Sequence, residues 1–157
     1  MSTRTVASLI LAILVSPAGL LAQDHPIKGT WTLNVAKSKY TSEAPPQSRT
    51  LIFEIFGRNN LRLTNDAVLA DGRKTHIEED FIQDGKMHEL HGSADAETHI
   101  NVEFDPYNSQ TINYKGGKPV RVLKRVISKD GRTLTIIVTS TDANGNPVDD
   151  FRVFDKQ

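Results

Sequence analysis

Five glycine dipeptides constrain this chain more than any other feature. "ADGR", "QDGK", "KGGK", "KDGR" and "ANGN" place Asp71-Gly72, Asp84-Gly85, Gly116-Gly117, Asp130-Gly131 and Asn144-Gly145 along the sequence, mostly 12 to 18 residues apart. Such pairs supply the positive φ that two-residue hairpin turns demand. Around them residues alternate: Trp31, Leu33 and Val35 are set against Thr32, Asn34 and Ala36 in "GTWTLNVAKSKY". A period of two describes a strand with one buried face. The pattern predicts ten strands, with cores near 30–36, 50–56, 61–68, 74–83, 86–92, 98–105, 110–114, 120–128, 133–142 and 148–155. Beyond a turn near Lys37 to Tyr40, no helix-period stretch interrupts them. A meander of this size must dispose of its edge strands, and curling the sheet onto itself does so. The predicted fold is all-β, a single antiparallel up-and-down β-barrel of 8–10 strands, with the first strand beside the last.

The first 22 residues follow another rule. "MSTRTVASLILAILVSPAGLLAQ" has Arg4 ahead of an apolar run from Val6 to Val15, then small residues. This reads as a secretory signal peptide over 1–22, cut after Ala22 or after Ala18, leaving a barrel domain over 23–157. The run is too short to span a membrane, and no second one follows. The expected product is exported, periplasmic or extracellular, without a transmembrane segment. The chain of 157 residues has no cysteine, which excludes disulfides, thiolate chemistry and a lipid-modified cysteine anchor. Its 19 Lys and Arg balance 19 Asp and Glu, and basic residues do not cluster with aromatics, so a nucleic-acid partner is not expected.

Two-residue turns would also fix register. Asp130-Gly131 sets Ile127 opposite Leu134, Arg125 opposite Ile136 and Leu123 opposite Val138. Asn144-Gly145 sets Val138 opposite Phe151 and Ile136 opposite Val153, and Gly116-Gly117 sets Ile112 opposite Arg121. The resulting inward face is Ile112, Leu123, Ile127, Leu134, Ile136, Val138, Phe151 and Val153, with Arg152 outside. Arg125 stands in the middle of that apolar face, and Arg121 nearer its end, within reach of Asp149. A buried guanidinium requires a partner or an anion. Asp84-Gly85 sets Phe81 opposite His88 and Glu79 opposite Leu90, making Glu79 and His88 diagonal neighbours and weak candidates for acid–base catalysis. The Asp71-Gly72 register conflicts with the alternation of Leu61 and Leu63 unless a bulge lies near Asn65 to Ala67.

Other chemistry finds little support. His88 and His91 would point to opposite faces of a strand and cannot share a metal, so no metal site is expected. No nucleotide, P-loop or nucleophile-elbow motif is present, and no cofactor is implied.

"GTWTLNVAKSKY", "PPQSRTL", "KRVISKDGRTLTI" and "DANGNPVDDFRVFDKQ" resemble a group of uncharacterised exported bacterial proteins that share G-T-W-x-L-N-x-x-K-S-K and a closing strand ending near D/E-K-Q. More distantly, Gly29-x-Trp31 opening a meander is similar to lipocalin and fatty-acid-binding (calycin) barrels. That resemblance implies that Trp31 plugs the closed end with Arg125 or Arg152 over its ring, and that an internal arginine anchors a carboxylate. The expected ligand is small and largely apolar, with or without a carboxylate. Arg125, Arg121, Trp31, Phe53, Phe81, Phe104 and Tyr114 are the binding candidates, and Ile100 and Val102 further lining. The alternatives are a filled envelope module for protein contacts and a barrel enzyme using Glu79 and His88.

Overall fold

The computed structural model describes residues 24–41, 44–58, 60–91, 93–142 and 144–157, so the predicted leader lies outside the described residues. Ten strands run in chain order: β1 (Gly29–Leu33), β2 (Ser48–Phe56), β3 (Asn60–Val68), β4 (Lys74–Phe81), β5 (Met87–Glu89), β6 (Thr98–Asp105), β7 (Asn108–Lys115), β8 (Lys118–Ile127), β9 (Thr133–Thr141) and β10 (Pro147–Lys156). A 3₁₀ turn, Val35–Lys37, follows β1 and is capped by the Asn34 side chain, which accepts from the Lys37 amide. All ten strands form one sheet in the order β4-β3-β2-β1-β10-β9-β8-β7-β6-β5. Every pairing is antiparallel, and the first strand pairs with the last through Trp31 and Lys156. The fold is therefore the predicted up-and-down meander, curled into a half-barrel.

The curl ends in a seam. β4 and β5 are the two edges of the sheet, so the register predicted through Asp84-Gly85 is not made. The reason is local: the Gly85 amide donates to the Asn101 carbonyl, and Leu90 to Glu97, which commits β5 to β6. The exposed side of β4 carries Lys74, His76, Glu78 and Asp80, a charged edge that discourages pairing with another chain.

Three other register errors each come from a single residue. The loop at Asn144-Gly145 is closed by Asp142 and Asn146, one residue longer than a two-residue turn. Val138 therefore faces Asp150, and Ile136 faces Arg152. The slip moves Phe151 and Val153 to the other face of the sheet, where Phe151 is exposed and Val153 stays buried, and brings Asp150, Arg152 and Phe154 inward. At Asp71-Gly72, Leu69 pairs with Arg73 across a three-residue loop; β3 and β4 then align without a bulge, Leu63 beside Glu79. At Gly116-Gly117 the turn is as predicted, but a bulge between Asn113 and Tyr114 puts Asn113, not Ile112, opposite Arg121.

That bulge reverses two strands. The inner faces of β6 and β7 carry His99, Asn101, Glu103, Ser109, Thr111 and Asn113, matched pair by pair across the ladder. Ile100, Val102, Phe104, Ile112 and Tyr114 face outward, and Phe104 is 66% exposed. The remaining strands supply the apolar core: Trp31, Phe53, Leu61, Leu134, Val138 and Phe154 are essentially buried.

Candidate binding cavity

Above that core lies a cavity of about 990 Å³. Three of its exposed lining residues, Ala94, Asp95 and Asn144, come from the β5–β6 and β9–β10 loops. Its apolar walls are Leu51 and Phe53 of β2, Leu63 of β3, Phe81 of β4, Ile136 and Val138 of β9 and Phe154 of β10. A wider hollow of about 1320 Å³ opens on the charged surface around Lys28, Lys129 and Arg132. Among the described residues it holds no buried polar side chain lacking a partner, so the chemistry lies in the first cavity.

Arg125 sits in that cavity's wall, 4% exposed, opposite Ile136 and Ser109. Its guanidinium stacks 4.7 Å from the centre of the Phe81 ring. One terminal NH donates to Thr111 Oγ1 at 2.8 Å, and Thr111 in turn donates to Asn101 Oδ1 at 2.6 Å. Arg125 Nε is buried and has no hydrogen-bond partner among the described residues. No carboxylate among the described residues lies within ion-pair distance of it; Glu79 acts only through its field. Burial pulls the Arg125 pKa down to about 10, Glu79 opposing, so the group is a cation at neutral pH.

Two other cations of the lining, Arg152 and Arg121, have carboxylates nearby. Arg152 donates to Asp150 Oδ2 at 2.6 Å and stacks 5.4 Å from the Tyr40 ring. Burial raises the Asp150 carboxyl, but Arg152 and the Thr41 amide and hydroxyl outweigh it and hold the group below its ordinary value. Arg121 lies 3.7 Å from Asp95, not beside the predicted Asp149. Asn113, 7% exposed, lines the cavity, its Oδ1 without a partner among the described residues.

Of the predicted site residues, the cavity brings together Arg125, Arg121, Phe53 and Phe81. Phe104 and Tyr114 belong to the reversed outer face, as do Ile100 and Val102, because the β7 bulge exchanges the two faces. Trp31 lies beneath the cavity, fully buried, donating from Nε1 to the Ile27 carbonyl at 2.7 Å. The cation over its ring is Lys156, 5.0 Å from the centroid, rather than Arg125 or Arg152. Glu79 and His88 do not meet. With β4 and β5 unpaired, His88 Nε2 reaches Asp84 Oδ1 at 2.8 Å, while Glu79 crosses the seam to His99 Nδ1 at 3.1 Å. His99 also packs on Phe81, with ring centroids 5.7 Å apart. The predicted acid–base pair is thus replaced by a Glu79–His99 contact that ties β4 to β6 across the open edge.

Sequence reasoning missed Thr111, Asn113, Asn101 and His99. The available signal was the polar alternation itself, three polar residues at every second position on two successive strands. It names two faces but not which one is inside.

No family model matches the chain, and no curated protein matches it. Solved structures do. A Schistosoma mansoni fatty acid binding protein in complex with arachidonic acid superposes with a TM-score of 0.59 at 12% identity, over 84% of this chain and 96% of the other. The fluorescent protein UnaG gives 0.58 at 12% identity, over 83% and 96%. A zebrafish ileal bile acid-binding protein complexed with cholic acid gives 0.53 at 15% identity, over 84% and 99%. At these identities the likeness shows that the fold is of the fatty-acid-binding, calycin-like kind.

Proposed function

We propose that the protein is an exported carrier of a small amphipathic acid, held in the cavity with its anionic group at Arg125. The observation that carries this reading is a buried guanidinium that, among the described residues, has no carboxylate partner and an unpaired Nε, in the wall of a cavity of about 990 Å³. Ligand pockets fall in the range of roughly 300–1,000 Å³. A cation taken out of water with no partner is costly, and a bound carboxylate would offset that cost through charge-assisted hydrogen bonds. The apolar walls would take the rest of the ligand by burial at about 25 cal/mol per Å². Two of the similar structures hold a fatty acid and a bile acid, both amphipathic acids, which agrees with this chemistry. The leader over residues 1–22 adds the expectation of export.

Titrating an anthroyloxy-labelled fatty acid into the protein tests the reading. The expected result is a saturable rise in emission at one probe per chain, with a dissociation constant in the micromolar range or below. A linear, unsaturated signal would remove the carrier function.

A further inference from the structure

Arg125 has a companion on the inner face of β8. Arg121 lies four residues nearer the β7–β8 turn, with Leu123 between them on the same face. Arg125 is buried, whereas the Arg121 side chain is 36% exposed. The lining residues around Arg121, namely Ala94, Asp95, Lys115 and Val120, are exposed as well, so this end of the cavity is its mouth. The carboxylate beside Arg121, on Asp95, is 3.7 Å away, beyond hydrogen-bond distance, and that side chain is 76% exposed. A screened pair of this kind is worth little and exchanges readily. Among the described residues Arg121 donates no hydrogen bond. The ladder sets Asn113 on one side of it and Ser140 on the other, and all three line the cavity. A guanidinium fork flanked by an amide and a hydroxyl presents a row of donors, which suits a carboxylate rather than a hydrocarbon end. Lys115 and Lys118 pair across the same hairpin, and Lys115 Nζ donates to the Ala94 carbonyl rather than to a carboxylate.

Resting on the carrier reading, which puts one acidic group at Arg125, we propose that the cavity takes diacids, amphipathic ligands whose second carboxylate is held at the mouth by Arg121 in exchange for Asp95. The Arg121 guanidinium is open to solvent, so a ligand group reaches it without any rearrangement of the wall. Because this anchor stays partly in water, it adds specificity and a salt dependence more than bulk affinity. Asp95 then acts as a competitor that keeps the mouth closed to a second acid only weakly.

Displacement of the labelled fatty acid by α,ω-diacids, from octanedioate to hexadecanedioate, each set beside the monoacid of the same length, decides the matter. In a cavity with a single anchor the second carboxylate is only a cost, because it gives up water for an apolar wall. Here at least one diacid should bind about fivefold more tightly than its monoacid at low salt, the upper value for a partly exposed ion pair. That preference should shrink in high salt. It should vanish in Arg121→Gln and grow in Asp95→Asn, where the competing carboxylate is gone. Opposite responses of the two variants separate a ligand contact from a structural pair, which breaks the same way from either side. If no diacid of the series exceeds its monoacid, the proposal falls and the carrier reading stands. An equal loss of monoacid and diacid affinity in Arg121→Gln would mean a single head group at the mouth and would overturn the proposal as well. If the labelled probe itself fails to bind, both readings fall together.

Discussion

Replacing Arg125 by methionine should make the protein more stable and a much poorer binder of acids. Methionine keeps an unbranched stem against Phe81 and Leu123 and removes the charge. In the fold that charge is penalised by burial, which brings the pKa down to about 10 against the pull of Glu79. The sign follows from linkage: the unfolded chain holds this proton more tightly than the folded one. The penalty is therefore fully present below about pH 10 and fades as the pH rises above it. Replacing a buried ion by a well-packed apolar residue is often neutral or stabilising by about 1–4 kcal/mol. The expected gain here is about 1–3 kcal/mol, since a hydrogen bond to Thr111 and the stacking on Phe81 are lost. Affinity for a long-chain acid should fall by about 10- to 100-fold, the loss of one charge-assisted contact of roughly 1.5–3 kcal/mol. Denaturant unfolding and probe titration on the same samples read both. A destabilised variant with unchanged affinity would make Arg125 a structural group.

Trp31→Ala should cost stability and leave binding largely unchanged. The tryptophan, the only one in the chain, is 0% exposed, packed under the cavity and tied by Nε1 to the Ile27 carbonyl. Its removal leaves a void and an unmatched carbonyl, for an expected loss of about 3–5 kcal/mol. For a domain of this size the thermal midpoint should fall by roughly 10–25 °C. Trp31 does not line the cavity, so affinity below the transition should change little. A midpoint shifted by less than a few degrees would take Trp31 out of the core.

How far the residues announced this arrangement depends on the kind of information each one carries. Turn glycines and period-two alternation report local conformation, and they placed ten strands and the pairing of the first with the last. They also put Arg125 inward between Leu123 and Ile127, because the Asp130-Gly131 loop has the symmetric length. They failed wherever one residue decided the outcome. An extra loop residue at Asn144-Gly145 exchanged Phe151 for Arg152, and a bulge after Asn113 turned β6 and β7 over. Alternation is blind to such a flip, since both faces alternate equally well, and the more apolar face is the natural choice for the interior. Here the polar face is inside. A local rule is broken at the wall of the cavity, and such conflicts between pattern and fold are expected at functional or strained sites. The seam between β4 and β5 was illegible for another reason: Asp84-Gly85 has the chemistry of a hairpin turn, and only the competing bonds to β6 prevent one.

The central claim is that an acid enters the interior of the barrel rather than the apolar stripe that the reversed strands leave outside. Methyl-labelled NMR spectra recorded during addition of oleate distinguish the two surfaces directly. The methyls of Leu51, Leu63, Leu123, Ile136 and Val138 line the cavity, while those of Ile100, Val102, Ile112 and Val126 face away from it. The account predicts that the first set shifts and saturates at one oleate per chain while the second set stays in place. Shifts confined to the outer methyls, or none that saturate, would contradict it.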